Sequence, residues 1–386
     1  MDVRRWAERN PAVRRGALFA RRVLGRAFMR LSHGTGVRKH RVLFSSFRGK
    51  GYSDSPRAIS EELHKLCPDA EIVWQFRDGC GKNAPPYIKC VRAHTLRALY
   101  MVSTARVLVD NFNRAHYMLK FRNQVYVQTW HGDRAFKKVL FDAYPDEPFP
   151  DGEQIDLAVA GSDYGERQYR SAFRYAGPVL KVGLPRNDLL VDPPEGLRER
   201  VRSALGAGEN DRLLLYAPTF RDATRGGRQP CPFSMEAALE RLSEITGSRW
   251  LCLARGHDMN SGVDCPGAID ATGYPEMAEL LLAADMLITD YSSSAGDFAL
   301  TGRPVILYQA DREAYVSRDR GLYFDVDDSP YWVARTEAEL HALFEKLGGA
   351  RENCAEILKF YGASETGRAA GAVASYIAAR LSEGIR

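Results

Sequence analysis

The chain has 386 residues, 45% hydrophobic and 27% charged, a composition suited to packed cores and a length suited to two domains. No run of about 18 apolar residues occurs, so no membrane-spanning helix is read from the sequence. Seven scattered cysteines form no CxxC pair, which argues against a zinc site and for a reducing compartment.

The net charge of +5 is unevenly spread. Residues 1–41 hold 12 Lys/Arg and 2 acids, leaving 42 basic and 47 acidic residues in the remainder. Ala20, Val23, Leu24, Ala27, Phe28 and Leu31 recur at helical spacing, with Arg15, Arg22, Arg26 and Arg30 on another face. This pattern predicts a basic amphipathic helix within residues 1–40 that lies on an anionic membrane surface through residues 1–35. Arginines interrupt the apolar face too often for a secretory signal. The plainer alternative is a helix docked on the protein body. The acidic remainder, without a nucleic-acid motif, argues against nucleic acid as a partner.

From residue 41 strands and helices alternate. RVLFSSF (41–47), EIVWQF (71–76), RVLVDN (106–111), QVYVQTW (124–130), IDLAVAG (155–161) and VLKVG (179–183) read as strands. SPRAISEELHKL, HTLRALYMVSTA and SDYGERQYRSAF read as helices between them. DPPEGLRERVRSALGAGENDR joins a Pro-Pro break, a helix and a Gly-containing turn, and marks a domain boundary near 207. A second series follows: RLLLYAP (212–218), RWLCLARG (249–256), AIDATG (268–273), DMLITD (285–290) and PVILYQ (304–309), then a helical region over 336–382. The order predicts an α/β chain of two doubly wound, Rossmann-like domains, 41–207 and 208–386, facing a cleft.

Ligands of such sheets bind beyond the carboxyl ends of strands, where four polar clusters fall: Trp130-His131-Gly132, APTFRD (217–222), RGHD (255–258) and TDYSSS (289–294). His131 and His257 each end a strand, one per domain, and a histidine there can act as acid or base or simply hydrogen-bond a loop. Ser292 and Ser293 follow Asp290 at a predicted helix start, where free N–H groups attract a phosphate; serine and aspartate also cap helices there without any ligand. Asp297, one turn on, reaches either a ribose hydroxyl or solvent. Arg221, beside Thr219, can neutralise phosphate oxygens. Lys137 and Lys138 can do so for an anionic acceptor, or form a solvated face.

QTWHGDRAFKKVLFD, YAPTFRD, LITDYSSSAGDFALTGRPVILY, RGLYFDVDD, FSSFRGKGYSDSPRAISEEL and RSAFRYAGPVLKVGLPRND, in consistent order over about 41–345, resemble the CDP-glycerol glycerophosphotransferases of teichoic acid assembly. The resemblance implies a GT-B architecture. It also implies transfer of glycerol phosphate from CDP-glycerol, with release of CMP, to a lipid-linked saccharide or growing polymer at the cytoplasmic face of the membrane. It makes His131 the histidine of the family's Trp-His-Gly motif and His257 its second functional histidine. It assigns the donor phosphates to the TDYSS segment, and with it to Thr219, Arg221, Asp290, Ser292, Ser293 and Asp297. Trp130, Gly132, Lys137 and Lys138 fall to the acceptor. Where the family usually has Thr-Pro-Leu after Trp-His-Gly, this chain has Asp133, Arg134 and Ala135, a departure that bears on acceptor recognition. The chain length favours a single-addition enzyme over a polymerase. No cluster demands a metal or cofactor, though a diphosphate can recruit Mg2+ itself. The alternatives are CDP-ribitol as donor, a nucleotide-sugar glycosyltransferase on the same fold, and a membrane-docked protein that binds an anionic glycolipid without reacting.

Overall fold

The computed structural model describes residues 11–77, 81, 83–115, 117–149, 151–221, 226–256, 262–318 and 321–383. The most apolar strands take the interior of the sheets. β4 (Ala105–Asp110) is buried along all six residues and β13 (Met286–Thr289) along all four, as expected of parallel strands covered on both faces. The first sheet runs β3 (Lys89–Arg92), β2 (Glu71–Phe76), β1 (Arg38–Ser45), β4, β5 (Val125–Gln128), β6 (Leu157–Ala160) and β7 (Val179–Lys181), all parallel. The second runs β12 (Ile269–Asp270), β10 (Trp250–Ala254), β8 (Arg212–Tyr216), β13, β14 (Val305–Tyr308) and β15 (Trp332–Ala334), also parallel. β9 (Arg228–Pro230) and β11 (Gly262–Asp264) form a small separate pair. The predicted strands are present: β2 keeps its predicted bounds, β1 begins three residues earlier, β4 is shifted by one, and the others are up to three residues shorter at an end. β3, β9, β11 and β15 have no counterpart in the sequence reading, because three or four residues without alternation carry no periodic signal.

The strand order reverses between β1 and β4 in the first sheet and between β8 and β13 in the second. At such switch points the flanking loops part in opposite directions and open a crevice at the carboxyl edge. Everything that bears on function below hangs from these two edges.

Helices α1 (Pro11–His33) and α3 (Leu96–Thr104) cover one face of the first sheet, where Met29, Leu99 and Val102 are buried with Leu43 and Leu108. On the other face α2 (Asp54–Leu66) lies beside the last helix, α12 (Ala369–Ser382). Val373, Ile377 and Leu381 of α12 are buried with Val42, Phe44 and Ile59. The chain therefore returns to the first domain at its end. This corrects the boundary that gave all of 208–386 to the second domain: α12 completes the first core.

α1 is docked on the body, the plainer of the two expectations, with most of its apolar positions outward. Gly25, Met29 and Ser32 face inward, with Gly25 beside Tyr117 and Leu99. His33 stacks on Phe121 at 3.8 Å and its Nδ1 meets the Ser103 carbonyl at 2.8 Å. Of the predicted apolar face, Val23, Leu24, Ala27 and Leu31 are exposed, as are Phe19, Arg22 and Arg30, while Phe28 packs half-buried against the core. The helix is docked on the body and still presents an apolar stripe beside arginines. Among the described residues no helix is long and apolar enough to cross a membrane.

Candidate active site

His131 lies just beyond β5, at the carboxyl edge of the first sheet. Trp130, in left-handed backbone at φ 48°, turns the chain so that the indole goes into the core and the imidazole out. Trp130 is buried against Phe173 at 5.0 Å. His131 is held among rings: Phe112 stacks on it at 4.9 Å with planes 10° apart, and Phe47 meets it edge-on at 5.4 Å. Its Nδ1 lies 2.8 Å from the Asn111 carbonyl oxygen. A carbonyl only accepts, so Nδ1 carries the proton in the neutral ring and Nε2 is the basic nitrogen.

A cavity of about 420 Å³ joins this wall to the second domain. His131, Arg48, Lys50 and Arg186 line the first-domain side; Thr219, Arg255, Gly256 and Ser292–Ser294 line the other. The serines follow β13 at the start of the short helix α8 (Ser294–Phe298). Ser292 and Ser294 hydroxyls are 2.8 Å apart. Their loop is held by Asp290, whose Oδ1 accepts from the backbone N–H groups of Thr219 and Tyr291 at 2.9 and 2.6 Å. The two switch points therefore face one another across a single space, with an imidazole on one side and hydroxyls on the other.

The structure brings His131, Thr219, Ser292, Ser293 and Asp297 to this cavity and leaves other predicted residues outside its lining. Asp290 acts through the backbone, as above. Arg221 pairs with Asp290 and Asp311, both at 2.8 Å, and lies 4.4 Å over the Tyr315 ring. Its charge is already met by two carboxylates. Trp130 is core, and Gly132 gives the chain room beside the Trp130 indole. The Lys137 ammonium lies 4.4 Å over Tyr315, and the Lys138 N–H donates to Gly321. Both lysines serve the contact between domains at that point. His257 lies outside the described residues; Gly256, which precedes it, lines the cavity.

Asp297 corrects the expectation of a ribose ligand or a solvated side chain. It is buried, and its oxygens receive Arg134 Nη1 at 2.8 Å, Arg186 Nη2 at 3.0 Å and Asn187 Nδ2 at 3.0 Å. Burial opposes its charge, but the Arg186 and Arg134 guanidiniums outweigh that and hold the carboxyl below its ordinary range. Arg134 also donates to Glu365 at 2.8 Å. A Cβ at position 296 would come within 2.6 Å of the Arg134 side chain, so Gly296 is what lets α8 lie on Arg134. Asp133 is buried as well, accepting from the Gly161 N–H and the Ser162 hydroxyl at 2.9 and 2.6 Å. Arg134 of the departure thus belongs to the junction between domains and Asp133 to the first-domain interior, and neither residue lines the cavity.

Arg186, Arg48, Lys50, Arg255 and Glu276 line the cavity and were given no role from the sequence. Arg186 and Arg48 stand within LPRND and FRGKG, where the resemblance was visible but no chemistry was. Arg186 is held by Asp297, while its Nη1 is buried without a hydrogen-bond partner among the described residues. Among those residues no group of three or more His, Cys, Asp or Glu is arranged to hold a metal.

The family model for CDP-glycerol:poly(glycerophosphate) glycerophosphotransferase matches residues 27–377. The teichoic acid poly(glycerol phosphate) polymerase of Staphylococcus epidermidis is 30% identical over 315 residues, which cover 76% of this chain and 44% of that protein. The protein of the same description from Bacillus spizizenii is 30% identical over 308 residues, 74% of this chain and 78% of that one. The chain spans less than half the length of the Staphylococcus epidermidis relative and of its Bacillus subtilis counterpart. A structure of the wall teichoic acid polymerase TagF, a histidine variant soaked with CDPG, superposes with a TM-score of 0.81 at 26% identity, covering 95% of each chain.

Proposed function

Since the chain belongs to the CDP-glycerol:poly(glycerophosphate) glycerophosphotransferase family, we propose that it transfers glycerol phosphate from CDP-glycerol to a hydroxyl of a lipid-linked saccharide or polyol-phosphate acceptor. The observation that carries this reading is the placement of His131, with Nδ1 protonated, across one cavity from the Ser292–Ser294 hydroxyls.

An alcohol is a weak nucleophile near neutral pH, and a base within hydrogen-bond reach raises its reactivity. His131 Nε2 takes the proton as the acceptor oxygen attacks the glycerol-bearing phosphorus. The bond from that phosphorus to the CMP oxygen breaks, and CMP leaves with the electron pair. The serine hydroxyls, Thr219 and the Arg186 guanidinium stabilise the charge that builds on the phosphoryl oxygens, an electrostatic and positioning contribution typical of phosphoryl transfer. His257, the second histidine implied by the resemblance, serves the leaving group. The exposed stripe of α1 holds the enzyme at the cytoplasmic face of the membrane, where a lipid-linked acceptor is found.

The test is CMP release and product mass with CDP-glycerol and candidate lipid-linked acceptors. His131→Ala is expected to lose at least about a hundredfold in turnover, the lower end of what a general base supplies, while CDP-glycerol still binds. His257→Ala is expected to weaken both donor binding and turnover. Near-normal turnover in His131→Ala sinks the assignment of the base. Thermal stabilisation by UDP and not by CMP would instead favour a nucleotide-sugar glycosyltransferase.

A further inference from the structure

The helix before β13, α7 (Met277–Ala283), starts on an unusual residue. Its N-cap is Glu276, after Pro275, a position usually held by Asn, Asp, Ser or Thr, whose short side chains reach the free N–H groups of the first turn. The Glu276 side chain makes no such bond. It is instead 5% exposed, in the wall of the cavity between the domains. A carboxyl is costly to bury unless hydrogen bonds or charges meet it, so its partners bear on what it is for.

Those partners meet one of its two oxygens. Oε2 accepts the Asp54 N–H at 2.8 Å and lies 3.8 Å from Arg57 Nη1. Arg57 is engaged by other acids, donating to Glu61 at 2.9 Å and to Glu279 at 3.1 Å. Oε1 accepts no hydrogen bond among the described residues, and it is not sealed off from the cavity. The other two carboxylates of the lining are occupied. Asp297 receives Arg134, Arg186 and Asn187. Asp54 accepts from the Ser55 N–H and Asn111 Nδ2 at 2.7 and 3.0 Å. Glu276 is therefore the acid with an acceptor to offer, and its own stretch of wall is otherwise apolar, with Pro275, Met277, Ala278 and Leu281 around it.

We propose that Glu276 binds the ribose hydroxyls of the donor nucleotide. The inference rests on the serines holding the donor's phosphates. Glu276 ends the loop that leaves β12, at the same carboxyl edge as the serines after β13, so a nucleotide anchored there by its phosphates brings its nucleoside to this wall. The apolar residues cover the faces of base and sugar. Oε1 accepts from the ribose, which offers two O–H donors on adjacent carbons and makes charge-assisted hydrogen bonds to the carboxylate. Cytosine is the poorer match, because its amine stands beside the N3 lone pair, which repels a carboxylate.

The experiment titrates the full chain with CMP, 2′,3′-dideoxy-CMP and UMP at pH 8, above the value of about 7 to which burial pushes the Glu276 carboxyl. Wild type is expected to bind CMP at least about tenfold more tightly than the dideoxy form, the usual weight of hydrogen bonds to a charged group. Glu276→Gln keeps an oxygen for the Asp54 N–H and puts a neutral amide in place of Oε1. It is expected to bind CMP about tenfold more weakly than wild type and the dideoxy form equally well, so that most of the discrimination disappears. A wild type that does not discriminate overturns the proposal. So does a variant that discriminates as well as wild type, which would leave Glu276 a contact between domains only. A variant that loses instead a preference for CMP over UMP overturns it too, by giving the carboxylate to the base. If wild type binds UMP and not CMP, the transfer reading fails on its own, and UMP against its dideoxy form then decides Glu276 by the same comparison. Binding of neither nucleotide overturns both.

Discussion

A single hydrogen bond fixes which nitrogen of His131 is basic, and it comes from main chain, the Asn111 carbonyl. No side-chain substitution removes that partner directly, so the tautomer is a property of where β4 ends. Glu276 shows the other kind of residue-scale control. It is buried where the domains meet, its Oε2 accepting the Asp54 N–H at 2.8 Å and lying 3.8 Å from Arg57. Burial, and then the Asp54 charge, push its carboxyl up from 4.5 to about 7. A raised acid stabilises the fold fully below its unfolded value and loses that contribution as pH rises to the folded one. At about 1.4 kcal/mol per pH unit, that interval is worth roughly 3 kcal/mol. Glu276→Gln keeps an oxygen for the Asp54 N–H and removes the titration. Its stability relative to wild type, from denaturant unfolding, is expected to rise from pH 4.5 to pH 8 by up to about that amount. A difference that is flat with pH would refute the claim. Residues such as His131 were legible because a Trp-His-Gly turn at a strand end is a local pattern. Glu276, Arg186 and Asp297 were not, since their state depends on partners more than a hundred positions away.

Elements were read well where a run of apolar residues was long enough to have a period. In α1 the period was read, but not all the residues through which the helix docks. Six apolar positions predicted a membrane-facing stripe; Phe28 of that stripe packs on the core together with Gly25, Met29 and Ser32, small or flexible residues that carry little weight in a hydrophobic count. That outcome changes how the membrane reading is tested. Deleting residues 1–35 would also uncover the Leu99 and Val102 face of α3, so lost activity would report folding as much as lipid. Substitutions on the exposed stripe avoid this. Leu24 and Leu31 are 69% and 75% exposed, and surface changes of this kind usually move stability by no more than about 0.5 kcal/mol. Leu24→Glu with Leu31→Glu is expected to keep the thermal midpoint and to lower sedimentation with anionic vesicles by about tenfold or more, since apolar area and opposite charge are lost together. Activity on a short soluble acceptor is expected to persist. Undiminished vesicle binding would show that α1 is only a docked helix.

At the scale of the whole molecule, two parallel sheets facing a cleft followed from the alternation of elements, but their strand order and what joins the halves did not. α12 is apolar at helical spacing whichever sheet it covers, and only the fold shows that it closes the first core. The other joint is Asp297. It rides on α8, directly after the serines, and all three of its side-chain partners come from the first domain. The carboxylate thus fixes the serine loop relative to His131 by ionic contact between domains. Asp297→Asn leaves Arg134 and Arg186 buried with one negative charge fewer, and breaking a buried pair in this way costs roughly 3–5 kcal/mol. Because the guanidiniums hold the carboxyl low, the contribution is present above the ordinary carboxylate range and is lost only as pH falls through the depressed value. At pH 7 the variant is expected to be destabilised by that amount. With the joint broken, the two domains are also expected to unfold in separate steps, since cooperation between domains survives only while their contact outweighs its own disruption. A nucleotide held by the second domain then stabilises one step and not the other. Calorimetry with and without CMP reads both effects, and a variant that unfolds in one transition within about 1 kcal/mol of wild type would show that Asp297 does not couple the domains.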